Sequence, residues 1–212
     1  MRGGTMQSEI SNPCPECGAP DALTMYSLTE EIPYFGEHTQ VTLSCAECGW
    51  RQTDFIPAQE REPCAWSLEL KDPSMLDVRV VRSSSGTVRI PELGLEVSPG
   101  NHSTGYVSNI EGVLRRFIDI IEMMLRQTVT DISTDDPDRD SAESGQPQLE
   151  ELLGTLRAAR AGEMAQTLTV EFLDPHGHSA ILDDAAHSRP LTEEERDALE
   201  VGPTALILDL GD

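Results

Sequence analysis

Two short motifs, Cys14-Pro15-Glu16-Cys17-Gly18 and Cys45-Ala46-Glu47-Cys48-Gly49, constrain this chain more than anything else in it. Each reads C-x-x-C-G, and 27 residues separate Cys17 from Cys45. Two intervening residues let a tight turn aim both thiolates at one tetrahedral ion, with metal–sulfur distances of about 2.3 Å for zinc. The glycine after each second cysteine takes a positive φ at low cost, so the chain can leave the turn with backbone N–H groups directed at the sulfurs. Four thiolates fill the coordination shell and leave no position for water or substrate, so the site organises structure rather than polarising a reactant. The expectation is one structural zinc ion held by Cys14, Cys17, Cys45 and Cys48. An iron site of the same spacing is the alternative metal. A redox C-x-x-C belongs in a βαβ context, which the flanking residues do not supply. Cys64 lies outside both motifs and reads as a small buried hydrophobe. The odd total of five cysteines, with no export signal in Met1–Ile10, argues against a disulfide framework.

Around these motifs the chain divides by pattern. Residues 1–11 read as a flexible tail and 12–57 as the zinc ribbon, with strands expected at Ala22–Thr29 and Thr39–Ser44. Residues 64–212 read as a β domain carrying a helical insertion over about 108–163. Alternation at Ser67–Leu70, Val78 and Val80, Val88 and Ile90, and Leu93, Leu95 and Val97, broken by turns every eight or so residues, predicts a sandwich or barrel. Then the period changes. Ile110, Val113, Leu114, Phe117, Ile118, Ile121, Met124 and Leu125 recur at three- and four-residue steps, which predicts a helix over Ser108–Gln127, with Ser108 and Glu111 as a capping box. A second helix is expected over Leu149–Ala161, after a polar, acidic segment at 131–148 that reads as a mobile loop. Strands resume at Thr167–Leu173 and Ser179–Leu182. A short capped helix follows from Thr192 with Glu195, and a closing strand at Thr204–Leu210.

Charge narrows the function. There are 38 acidic residues against 15 basic ones, a formal net charge of −23, and Lys71 is the only lysine. Near-absence of lysine along the whole chain points to adaptation to a high-salt cytosol, where the Debye length falls to about 3 Å at molar ionic strength. No run reaches the roughly 18 apolar residues of a membrane-spanning helix, and the chain is expected in the cytoplasm.

Further motifs carry a likeness to a known family. Ile32-Pro33-Tyr34-Phe35-Gly36-Glu37 lies between the cysteine pairs, Val80-Val81-Arg82-Ser83 runs on to Gly86-Thr87-Val88-Arg89-Ile90-Pro91-Glu92-Leu93, and Ile110-Glu111-Gly112-Val113-Leu114 follows. With the cysteines, these resemble the hallmarks of the ZPR-type zinc-finger proteins, and Asp174-Pro175-His176-Gly177-His178-Ser179 resembles a degenerate fourth. The likeness covers residues 12–182. It implies a zinc ribbon followed by a double-stranded β-helix (a barrel-like domain) with a helical-hairpin insertion. It also implies a chaperone-like role on translation elongation factor 1A. One module is present, as in the short archaeal-type members. Leu173, His176 and His178 depart from the family's usual residues at the fourth hallmark.

On this reading the partner-binding surface is the turn Ile32, Pro33, Tyr34, Phe35 and Glu37, because aromatic residues anchor protein interfaces. Arg79, Arg82 and Arg89 read as intramolecular partners for nearby carboxylates. A nucleic-acid-binding ribbon is the alternative. It needs clustered cations, yet the ribbon carries Arg51 alone amid acids that include Asp21, Glu30, Glu31, Glu37, Glu47 and Asp54. A metal-dependent enzyme is a further alternative, resting on His176-Gly177-His178, for which no Glu-then-His continuation supplies the remaining ligands. The chain reads as a binding protein rather than an enzyme.

Overall fold

The computed structural model of the chain describes residues 5–32, 36–58, 61–100, 103–131 and 139–199. Alternating side chains in the first part form an antiparallel meander of β1 (Thr5–Ile10), β2 (Leu23–Ile32), β3 (Gly36–Cys45) and β4 (Arg51–Pro57), in that spatial order. Ile10, Leu23 and Leu43 pack with Cys14 and Cys45 into a small core, edged by Met25 and Trp50. The expected flexible tail over 1–11 gives way here to a strand. Residues 5–10 pair with β2 from Thr5↔Leu28 to Ile10↔Leu23. Without them the long β2 would expose a row of unpaired backbone groups along its edge, and the tail supplies those partners while burying Ile10.

The second part contributes β5 (Cys64–Leu70), β6 (Arg79–Arg82), β7 (Thr87–Ile90), β8 (Leu95–Val97), β9 (Tyr106–Asn109), β10 (Leu168–Asp174), β11 (Ala180–Leu182) and β12 (His187–Pro190). They form two antiparallel sheets in the orders β12-β5-β10-β7-β8 and β11-β6-β9. Leu68, Leu70, Val88, Ile90, Val170 and Phe172 from the larger sheet meet Val80 and Ile181 from the smaller in one core. Between β9 and β10 the chain makes two helices, α1 (Ile110–Asp131) and α2 (Arg139–Arg160). Ile110, Val113, Leu114, Phe117, Ile118 and Ile121 of α1, with Leu153, Leu156 and Ala159 of α2, are buried in that same core. The inserted hairpin therefore closes the sandwich. The short α3 (Glu193–Ala198) has the expected capping box of Thr192 and Glu195.

Two helix ends differ from the sequence reading. Asn109, not Ser108, caps α1: its Oδ1 accepts the Gly112 N–H at 2.9 Å. Ser108 is still in β9, paired with Val80, and the Glu111 carboxylate goes to Arg160 across the helical hairpin. The segment read as a mobile loop over 131–148 is helical from Arg139 onward, with Pro147 inside the helix. Polar composition removes a packed face, but helix propagates cooperatively from a docked end, here Leu149–Leu156. Gln146 donates to Glu150 at 3.1 Å one turn on. The closing strand expected at Thr204–Leu210 lies outside the described residues.

The ribbon meets the sandwich through a polar network. Asp54 of β4 accepts the Ser84 N–H at 3.0 Å and the Ser84 hydroxyl at 2.5 Å, in the turn between β6 and β7. Beside it the Gly105 N–H donates to the Thr53 carbonyl at 2.7 Å, and Phe55 packs with Val81 and Ala180. Beneath Ser84 lies Asp174, with no exposed surface. Its carboxylate accepts from the hydroxyls of Ser83 (2.6 Å), Ser85 (3.0 Å) and Ser179 (2.5 Å) and from the His176 N–H (2.8 Å). Burial alone would raise its pKa, but the hydroxyls of Ser179 and Ser83, the His176 N–H and the nearby His178 hold it below the usual carboxylate range. Arg82 completes the network without an ion pair: Nε donates to the Gly86 carbonyl at 2.8 Å, and Nη1 to the Ser103 hydroxyl at 2.6 Å and the Thr104 carbonyl at 3.2 Å. Of the three strand arginines, Arg89 does find a carboxylate, Glu96 at 2.5 Å.

Replacing Asp174 by Asn removes the charge and turns one of its two acceptor oxygens into a donor facing buried donors. Asp174→Asn is expected to cost about 2–4 kcal/mol in urea melts, since bonds to a buried charge are each worth about 1.5–3 kcal/mol. A change within experimental error of zero would refute this role. The half-buried His178 gives the network a pH dependence. Burial depresses its pKa, outweighing the attraction of Asp174 and Asp54. The unfolded chain then binds the proton more readily, so stability is full above the ordinary imidazole value of about 6.5 and falls as pH drops below it. The depressed Asp174 adds a second loss of the same sign at lower pH. Melting midpoints should therefore decline below about pH 6.5, and His178→Gln should flatten the upper part of that decline only. An unchanged upper slope in the variant would count against it.

Candidate metal centre and hairpin tip

Each C-x-x-C-G segment folds as the same small loop. The Gly18 N–H donates to the Cys14 carbonyl at 2.8 Å, and the Cys14 N–H to the Ala19 carbonyl at 2.9 Å. At the second motif the Gly49 N–H reaches the Cys45 carbonyl at 3.1 Å, and the Cys45 N–H reaches the Trp50 carbonyl at 2.8 Å. Gly18 and Gly49 sit at φ of +70° and +73°, the conformation expected of them. The first cysteine of each loop is buried in the ribbon core and the second is exposed.

The four sulfurs lie within 4.8 Å of one another, with Cys14–Cys48 and Cys17–Cys45 both at 3.8 Å. That is far longer than a disulfide. It equals the edge of a tetrahedron, about 3.8 Å, drawn around an ion with bonds of about 2.3 Å. Electrostatics agree. Burial raises the Cys14 thiol, but the N–H groups of Cys17 and Glu16 outweigh it and bring the pKa to about 7. Cys48 receives the Trp50 N–H, yet burial and its three sulfur neighbours push it up to about 12. One thiolate forms readily and a fourth does not unless a cation joins the cluster. The donor set fits one zinc ion, through soft ligands in tetrahedral array. Among the described residues it is the only group of His, Cys, Asp and Glu placed to hold a metal.

Between the two loops, β2 and β3 pair without a break from Leu23↔Cys45 to Ile32↔Gly36. Nine strand steps carry the hairpin about 30 Å from its root. Glu37 is exposed near the tip, paired with Glu31, and Gly36 has a φ of +86°. Pro33, Tyr34 and Phe35, and the side chain of Ile32, lie outside the described residues. The cysteines therefore fix the hairpin's root. Its far end rests on other contacts: the Ala58 N–H donates to the Glu37 carbonyl at 3.0 Å, and the buried His38 ring lies 5.7 Å from Phe55.

The H-x-H segment is the turn that follows β10. The rings of His176 and His178 have centroids 6.0 Å apart, and no third ligand joins them among the described residues. Gly177 has a φ of +68°, and a Cβ there would fall 2.3 Å from the Glu62 carbonyl oxygen, so the turn sits hard against the linker between ribbon and sandwich. Cys64 stands apart from the metal cluster, half-buried at the start of β5, where burial and Asp174 raise its pKa. Sequence reasoning missed Asp54 and the serine cluster. The signal was Ser83-Ser84-Ser85-Gly86, which looks like any solvated turn.

Comparison with known proteins accounts for both halves. The chain matches the ZPR1 zinc-finger domain over residues 8–63 and the ZPR1 jelly-roll domain over 74–198. It is 37% identical over 194 residues to an uncharacterised ZPR1-like protein of Pyrococcus horikoshii, covering 92% of this chain and 82% of that one. A ZPR1-like protein of Methanocaldococcus jannaschii is 36% identical over 197 residues, covering 93% and 91%. The zinc finger chaperone of Schizosaccharomyces pombe is 29% identical over 173 residues, which take in 80% of this chain and 34% of the yeast one. A tetrahedral four-cysteine ribbon joined to a jelly roll, with relatives along most of its length, makes this chain a zinc-binding member of the ZPR1 family.

Proposed function

We propose that this chain is a protein-binding, chaperone-like factor whose ribbon hairpin engages translation elongation factor 1A. The observation that carries the reading is the hairpin itself: ten-residue strands in unbroken register, rooted at one end in the cysteine cluster and braced midway along, through Asp54 and Phe55 of β4, by the jelly roll. Such a rigid double anchor suits a segment that must present its tip to a partner at fixed geometry, since preorganisation lowers the entropic cost of binding. The tip carries Ile32, Pro33, Tyr34, Phe35 and Glu37, where two adjacent aromatic anchors precede a carboxylate. The yeast relative, a zinc finger chaperone, supports a chaperone role. The elongation factor follows from the ZPR-type hallmarks in the sequence. Cys14, Cys17, Cys45 and Cys48 are on this reading the ligands of one structural zinc ion, and no catalytic residue is assigned.

Metal analysis should find one zinc per chain, and Cys45→Ser should abolish it while lowering the melting midpoint. Full zinc content in that variant would overturn the ligand set. Pull-down of purified elongation factor 1A in matched salt should succeed with the wild type. It should weaken at least tenfold with a Tyr34→Ala, Phe35→Ala double variant of unchanged melting midpoint. Capture unaffected by the double variant would remove the tip from the interface. Failure of the wild type to capture the factor would remove the partner.

A further inference from the structure

In this acidic chain most described cations lie against carboxylates: Arg157 on Glu122 at 2.8 Å, Arg189 on Glu195 at 2.6 Å, Lys71 on Glu69 at 2.8 Å. Arg82 and Arg116 do not, and both open on one cavity of about 380 Å³ between β7, β8, β9 and α1. Arg82 is 6% exposed, a buried guanidinium whose hydrogen bonds all go to neutral oxygens through Nε and Nη1. Its Nη2 donates to none of the described residues. Arg116 reaches over from α1 and stacks on Tyr106 with its guanidinium carbon 3.9 Å from the ring centroid, while Arg82 approaches the same ring at 5.9 Å. It has no carboxylate within ion-pair distance among the described residues. Val88, Val97, Val113 and Phe117 give the cavity an apolar lining beside the two arginines.

A buried positive charge without a paired anion is costly, and a cavity beside it is where an anion can offset that cost. Guanidinium forks match planar carboxylates, and the volume lies within the range of small-molecule sites. The apolar wall requires a ligand with a hydrocarbon body. The acid Asp119 at the rim, 4.0 Å from Arg115, disfavours a doubly charged one. We propose that this cavity binds a small organic monocarboxylate, its carboxylate received by Arg116 and Arg82 and its apolar body lying against Val88, Val97 and Phe117. The site is separate from the zinc ribbon, and the proposal does not depend on the partner reading above.

The test is calorimetric titration of the zinc-loaded full chain with hexanoate and benzoate, alongside hexanol, benzyl alcohol and inorganic phosphate. The acids should bind saturably, at least tenfold more tightly than the matching alcohols and more tightly than phosphate. The exposed Arg116 permits substitution without disturbing the core. Arg116→Gln should weaken the acids several-fold and Arg116→Glu at least tenfold, with unchanged melting midpoints. Equal binding of acid and alcohol, preference for phosphate, or unchanged affinity in Arg116→Glu would overturn the proposal. A Gly-Gly-Leu tripeptide that displaced hexanoate at lower concentration would overturn the small-acid assignment in favour of a protein C-terminus.

Discussion

The buried carboxylate of Asp174 is the constraint around which the rest of this structure is arranged. An unsatisfied charge at that depth would neutralise or unfold the site, so four donors converge on it, Ser83 and Ser85 from a turn some 90 residues earlier and His176 and Ser179 from the turn that follows it. To place Ser83 and Ser85 there, the β6–β7 turn must dive inward rather than run over the surface. Gly86 makes this possible, because a Cβ at that position would stand 2.7 Å from the Ser179 hydroxyl. To place Ser179, the chain must reverse after β10 within a few residues, which the positive φ of Gly177 allows. The turn left between those serines offers Ser84 outward, and Asp54 of the ribbon takes both its donors. One buried charge thus sets the shape of the surface on which the ribbon docks.

The zinc cluster and this network divide the ribbon between them. Metal and small core hold the end at Leu23 and Cys45; Asp54, Phe55 and Gly105 hold the middle of the sheet, opposite Val41 and Gln40. Gly105 is pressed at 3.0 Å between Asp54 and Phe55 where a Cβ would sit, so the fit there is close enough to fix the angle of the sheet. The apolar core of the ribbon is small, and its metal lies at the end of the hairpin away from the tip. The jelly roll supplies the missing support. This is a physical reason for the two units to occur together in one chain.

Much of this was legible in the residues, and the exceptions share a cause. The cysteine loops, the long hairpin, the sandwich strands and both inserted helices follow from spacing and periodicity, which are local signals. The residues that join the units are polar and lie in turns, where sequence gives the same appearance to a solvated loop and a buried network. Ser83, Ser84 and Ser85 differ from a surface turn only through partners some 30 and 90 residues away. β1 escaped notice because its inner positions include only one strongly buried apolar side chain, Ile10. The sequence places the cap one residue early because Ser108 and Asn109 are both good caps; in the structure it is the Asn109 Oδ1 that takes the Gly112 N–H.

The distribution of charge gives the two parts of the molecule different responses to salt. Surface ion pairs such as Arg157–Glu122 and Lys71–Glu69 are exposed, and added salt screens them together with the repulsion of a −23 net charge. The junction works otherwise. Asp174 and Asp54 are held by hydroxyl and amide dipoles at contact distance, and Arg82 by carbonyls, with no pair of opposite charges for mobile ions to come between. Such bonds act over a distance shorter than any Debye length, and at Asp174 and Arg82 in sites water barely reaches. A chain that met its interior carboxylates with cations would tie its architecture to ionic strength. By meeting them with serines, this one leaves the salt dependence on its surface and keeps the ribbon's angle on the jelly roll outside it.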